Sequence, residues 1–190
     1  LVDIPGHEYL KTSTDLREMT DLPAYMNFIG AGYIAFELGA NDKAAGSRVT
    51  IIDHGDRPLR AFDGDVKAKM VRAFEYKGIS FKFNVDIGKV VQDGDKLALS
   101  GANFSAEADY IVCAIGRIPN VEMLDLEKAG VQYDKQGVMV GEYLQTANPR
   151  IFSCGDVTAQ KQAKLTPVAS FEGKYVAAKI MDAALPAIAY

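Results

Sequence analysis

Gly30, Gly32 and Ala35 stand at the spacing Gly-x-Gly-x-x-Ala, directly after an apolar run from Tyr25 to Ile29 and before a stretch that reads as a helix. These residue types at this spacing suit one piece of chemistry. The first glycine permits a tight turn, the second lets a phosphate approach the backbone, and the small third residue lets helix pack on strand. A pyrophosphate would then meet unpaired N–H groups at a helix N-terminus, where the dipole favours an anion. The bare string is weak, and the bland alternative is that the glycines only make a turn. The context strengthens it: Asp53 closes the next strand 23 positions after Gly30, placed to accept hydrogen bonds from the hydroxyls of an adenosine ribose. The expected ligand is NAD(H) or NADP(H). A carboxylate at Asp53 would repel a 2′-phosphate, which favours NAD. His54 and Arg60, just beyond, could greet a phosphate or belong to a solvated loop. Ala35 in place of a third glycine is a mild hint towards NADP, which the direct charge repulsion should outweigh.

The elements that must position these groups follow from the pattern. Residues 1–22 read as a connector with one short helix capped by Thr12, Ser13 or Thr14. A strand over 25–29, a helix from about Tyr33 to Ala45 stopped by Gly46, and a β-branched strand from Arg48 to Asp53 make one βαβ unit. A second helix is expected from Asp63 to Tyr76, presenting Val66, Met70, Ala73 and Phe74 to the core. Ile79, Phe81 and Phe83 alternate with polar residues, as in a strand with one wet face. Turn signals at Asp93-Gly94 and Gly101-Ala102 suggest an antiparallel meander over about residues 85–108. Tyr110 to Ala114 reads as an apolar strand, and Gly137 to Val140 and Ile151 to Cys154 as two short ones. Thr166 is expected to cap a final helix running to about Ala184, with Pro167 at its first position. The fold class is therefore α/β: a Rossmann-like three-layer nucleotide-binding fold with a β-meander crossover, plus part of a second domain.

Bulk properties exclude little else. The chain has 190 residues, 48% apolar and 24% charged, with a formal net charge of −4. Such a balance argues against a nucleic-acid partner. No apolar run approaches the roughly 18 residues needed to span a membrane, so no membrane partner is expected. Cys113 and Cys154 are too far apart for a Cys-x-x-Cys pair and read as small buried apolar residues of a reducing, cytoplasmic compartment. No metal-ligand spacing stands out.

Four segments in order resemble the pyridine nucleotide–disulfide oxidoreductases of the glutathione reductase and dihydrolipoamide dehydrogenase branch: Gly30-Ala-Gly-Tyr-Ile-Ala-Phe-Glu37, Cys113-Ala-Ile-Gly-Arg-Ile-Pro-Asn120, Ile151-Phe-Ser-Cys-Gly-Asp156 and Leu165-Thr-Pro-Val-Ala169. The resemblance implies a connector at 1–22, an NAD(P)-binding domain at 23–117, and the C-terminal part of an FAD-binding domain at 118–190. It implies that Gly30, Gly32, Tyr33 and Ile34 meet the pyridine nucleotide, with Tyr33 over the flavin on its nicotinamide side. Glu37 would lie near the nicotinamide end and pair with a lysine of the FAD domain. Gly116 belongs to the segment that returns to the FAD domain, and Asp156 would bind the ribityl chain of FAD. The resemblance further implies a parent enzyme, a homodimer, whose other FAD and dimerisation segments carry a Cys-x4-Cys pair and a catalytic histidine. Those features do not occur in this sequence, so no residue here is expected to be catalytic. The function expected is that of a piece of an FAD-dependent NAD(P)H:disulfide oxidoreductase, holding the nucleotide for hydride transfer to FAD. A non-catalytic NAD-binding sensor is the alternative, disfavoured by the flavin-type segments. A stand-alone dehydrogenase would need a general acid, and His7 and His54 sit in no suggestive context.

Overall fold

A computed structural model describes residues 2–60 and 62–190 of the chain, which forms two compact units, Leu1–Gly116 and Arg117–Tyr190. The first opens with a helix, α1 (Ser13–Glu18), and Thr12 is the residue that caps it. Its hydroxyl accepts from the Thr14 and Asp15 N–H groups at 3.2 and 3.3 Å, and the Asp15 carboxylate accepts back from the Thr12 N–H at 2.6 Å. This reciprocal arrangement satisfies both ends of the first turn. The leading segment also packs: Leu10 and Leu16 are buried.

The central sheet contains β1 (Tyr25–Ile29), β2 (Arg48–Ile52), β3 (Ser80–Lys82) and β7 (Tyr110–Cys113), all parallel, in the order β3-β2-β1-β7. Between β1 and β2 runs α2 (Tyr33–Ala45), and between β2 and β3 runs α3 (Gly64–Tyr76), capped by the Asp63 side chain. Strands β4 (Lys89–Asp93), β5 (Lys96–Gly101) and β6 (Phe104–Ala108) form an antiparallel meander that carries the chain from β3 to β7. Because β2 and β7 flank β1 on opposite sides, the strand order reverses there, and ligands of open α/β sheets bind beyond the strand ends at such a point.

Three layers result. Met26, Phe28, Val49 and Ile51 face Ala35 and Phe36 of α2 and Met70, Val71 and Phe74 of α3. The Phe36 ring stands 5.0 Å from Phe74 and 5.3 Å from Phe81. On the other face Ile29, Ile52 and Ile111 pack on Val90, Leu99 and Ala108 of the meander. Val66, expected on the inner face of α3, is exposed at 48%; the helix turns Met70, Val71 and Phe74 inward instead. Helix α2 packs tightly on the sheet at Gly39, where a Cβ would lie 3.2 Å from Val49 Cγ1 and 3.6 Å from Phe28 Cε2.

The second unit has a small hairpin of β8 (Tyr133–Asp134) and β9 (Gly137–Val138), a core of Val121, Leu126, Val131 and Val138, and a helix, α4 (Thr166–Met181). Two expectations are corrected here. Residues 151–154 form no strand: Phe152 makes a single bridge to Gln145, and a one-turn 3-10 helix follows at Gly155–Val157. An apolar run becomes a strand only with a ladder partner, and a lone bridge does not supply one. Helix α4 begins one residue early, with Leu165 in the cap position and no side-chain cap, and ends at Met181, short of Ala184. Its Glu172 is buried at 2% exposure, accepting from the Gly155 N–H at 2.6 Å and from the Tyr190 hydroxyl at 2.7 Å. No helix among the described residues is long and apolar enough to cross a membrane.

Gly39→Leu should therefore force α2 off the sheet and lower unfolding free energy by about 1–3 kcal/mol. Chemical denaturation measures this, and an unchanged midpoint would contradict the packing described.

Candidate functional site

Strand β1 delivers Gly30 to the sheet's C-terminal edge in a backbone conformation of φ +103°. A Cβ there would lie 2.7 Å from the Ala114 carbonyl oxygen at the end of β7. Glycine is thus required twice, by the dihedral and by the neighbouring backbone. The strand end is anchored on both sides, by Gly30 N–H to the Ile52 carbonyl and Ala114 N–H to the Ile29 carbonyl, each at 2.7 Å.

Gly32 differs. It occupies the N-cap of α2 with φ −85°, and a Cβ would meet only the Ala114 carbonyl oxygen at 3.9 Å, an ordinary contact. Among the described residues nothing demands a glycine at this position. What its missing side chain leaves is open backbone at a helix start that has no side-chain cap. The first intrahelical bond runs from Phe36 N–H to the Gly32 carbonyl, at 3.2 Å. The N–H groups of residues 32–35 precede it and belong to the first turn, whose donors a helix cannot pair internally. Uncapped donors at the positive end of a thirteen-residue helix fit an anion.

Asp53 shapes this turn more directly than its spacing suggests. Its Oδ2 accepts from the Ala31 N–H at 2.7 Å and its Oδ1 from the Gly55 N–H at 2.8 Å. The side chain is only 10% exposed. Leu59 N–H donates to the Ala31 carbonyl at 2.8 Å, closing the loop after β2 onto the same turn. Arg60 Nη2 lies 3.7 Å and His54 Nδ1 3.6 Å from Asp53 Oδ1, and Arg60 Nη2 is 3.2 Å from His54 Nε2. A carboxylate and two exposed basic side chains therefore share one edge of the cleft.

Tyr33, 39% exposed, and Glu37, also exposed, lie one helical turn apart on α2, with Ile34 half-buried between them. Gly116 follows β7, and a Cβ on it would meet nothing within 4 Å. Gly30, Gly32, Tyr33, Ile34, Asp53, His54 and Arg60 thus gather about the ends of β1 and β2. Asp156 belongs to the second unit, where its Oδ2 lies 3.8 Å from Arg117 Nε and its side chain is 45% exposed. Gly39 and the backbone at Ala114 were not singled out by sequence; helical spacing from Ala35 to Gly39 was the available signal for the first. Both cysteines are half-buried free thiols. Burial, with the Glu172 charge adding to it, pushes the Cys154 thiol above its usual range and away from thiolate chemistry. No cluster of three or more metal-ligating side chains occurs among the described residues.

The family described as pyridine nucleotide-disulphide oxidoreductase matches residues 2–173. A mercuric reductase of Staphylococcus aureus is 37% identical over 183 residues, covering 92% of this chain and 33% of that protein. A glutathione reductase of Nostoc sp. is 36% identical, covering 90% of this chain and 40% of that protein. The chain thus spans between a third and two fifths of the length of these relatives. Among solved structures, the HOCl-induced flavoprotein disulfide reductase RclA from Escherichia coli superposes with a TM-score of 0.88 at 22% identity, covering 100% of this chain and 43% of that one. That likeness speaks to the fold.

Two substitutions separate the roles of the glycines. Gly30→Ala should destabilise the chain by about 2 kcal/mol or more, from backbone strain and the clash with Ala114. Gly32→Ala should leave stability within about 0.5 kcal/mol. Thermal melts of the two variants check this, and equal losses would contradict it.

Proposed function

We propose that this chain, which belongs to the pyridine nucleotide-disulphide oxidoreductase family, is the part of a glutathione reductase-like, FAD-dependent NAD(P)H:disulfide oxidoreductase that holds the pyridine nucleotide. The observation that carries the reading is Gly32, a glycine that no contact among the described residues requires, at the uncapped start of α2. The position is a cradle that a side chain would fill, at a helix start whose first-turn donors have no side-chain cap. The N–H groups of Gly32, Tyr33 and Ile34 would hold the pyrophosphate, with Gly30 allowing the close approach. Asp53, His54 and Arg60 would face the adenosine end.

When bound, the nucleotide and the flavin supply the hydride chemistry between them. The residues of this chain bind and orient. Tyr33 and Glu37, one turn apart on α2, would cover the nicotinamide side. Asp156 keeps an exposed carboxylate able to accept from hydroxyl groups and would bind the ribityl chain of FAD. Domains beyond this chain would complete the flavin site, the redox cysteines and the dimer. The half-buried cysteines, without a thiolate-favouring setting at Cys154, are consistent with disulfide reduction being carried out elsewhere in the whole protein.

NAD(H) is the preferred nucleotide in this reading, because the Asp53 charge at the end of β2 opposes a 2′-phosphate. Arg60 and His54, within 4 Å of that carboxylate, offset part of the repulsion and leave NADP(H) a weaker ligand. Titrating the chain with NADH and with NADPH, followed by nicotinamide fluorescence, should give saturable binding of both, tighter for NADH. Gly32→Ala should weaken both about tenfold or more, whereas Arg60→Ala should weaken NADPH alone. No saturable binding of either would overturn the proposal, and tighter NADPH binding would overturn the role given to Asp53.

A further inference from the structure

The ends of the strands opposite the glycine turn hold a feature that nucleotide binding does not use. Strands buried on both faces of a parallel sheet read as continuous apolar runs, yet β1 carries Asn27 in its middle at 4% exposure. Across the sheet Asn27 is in register with Thr50 of β2, and Thr50 with Ser80 of β3. Residues in register project to the same face, so three polar side chains form one row over three strands. The row lines a cavity of about 370 Å³ whose walls also include Lys43, Arg48 and Glu107.

The groups in this cavity are poorly committed. Asn27 Nδ2 donates to the Glu107 carbonyl at a long 3.4 Å. Burying an amide in a central strand is costly unless its hydrogen-bonding groups are used. None of the ion pairs among the described residues involves Lys43 or Arg48; Arg48 instead lies over the Tyr25 ring, 5.2 Å from its centroid. Two cations against one carboxylate leave the walls positive. The volume falls in the range of small-molecule sites, about 300–1,000 Å³.

We propose that this cavity is a second binding site, for a small hydroxylated anion: a molecule carrying hydroxyl groups and a phosphate or carboxylate. Asn27, Thr50 and Ser80 exchange hydrogen bonds with the hydroxyls, and Lys43 and Arg48 hold the charged end. Glu107 disfavours extended polyanions. Gly30 lies three residue steps along the chain from Asn27, about 10 Å at strand rise, so the site is distinct from the glycine turn and does not depend on what that turn binds.

Calorimetric titration of the whole chain with 3-phosphoglycerate tests this, with glycerol and inorganic phosphate titrated separately. Saturable binding of 3-phosphoglycerate is expected, about tenfold or more tighter than either component alone. Lys43→Ala and Arg48→Ala, both changes at the rim, should each weaken it about tenfold, and Ser80→Ala should weaken it without altering the melting temperature. Lys69→Ala, exposed on α3, should leave it unchanged. Absence of saturable binding, binding no tighter than phosphate alone, or indifference to Lys43 and Arg48 would each overturn the proposal.

Discussion

The Asp53 carboxylate is the interaction on which the cleft depends. One of its oxygens holds the Ala31 N–H between the two glycines, and the other holds the Gly55 N–H in the loop after β2. Its own backbone is tied to the end of β3 and to Val85, through Asp53 N–H to the Lys82 carbonyl at 2.9 Å and Val85 N–H to the Asp53 carbonyl at 3.1 Å. One residue thus fixes three strand ends and the turn between them. Hydrogen bonds to a charged acceptor contribute more than neutral ones, about 1.5–3 kcal/mol, and here they are shielded from water. The consequence is a glycine turn that is preorganised, with the helix donors already aimed at the position an anion would occupy.

Such a brace shifts what the end of β2 does. Spacing alone suggests a carboxylate turned outward to a ribose; the geometry shows one with one oxygen serving the turn and the other the loop after β2. Charge still matters, since Arg60 and His54 crowd the same oxygen from the solvent side. In the proposed reading, selectivity between nucleotides would be a balance of one partly screened negative charge against two exposed basic groups.

Much of this was legible in the sequence, because it is local. The order β1, glycine turn, α2, β2 lies within 28 residues, and the helix runs from Tyr33 to Ala45 as the pattern implies. Turn residues and an apolar period carry such information without tertiary help. The misses share the opposite character. Residues 151–154 look like a strand but find only one bridge partner. Glu172 sits on a helix whose sequence gives no reason to bury a carboxylate, and its partners, Gly155 and Tyr190, are 17 and 18 positions away. Asn27 reads as an accident in an apolar run until Thr50 and Ser80 are seen beside it. Each depends on which segments meet, which a single strand or helix does not encode.

The central claim is that the turn from Gly30 to Ile34 receives the phosphates of a pyridine nucleotide. Amide spectra of isotope-labelled chain recorded during NADH addition address it most directly. The account predicts saturable shifts concentrated at Ala31, Gly32, Tyr33 and Ile34, and their loss in Gly32→Ala with the rest of the spectrum unchanged. Shifts that bypass these amides, or that survive in Gly32→Ala, would contradict it.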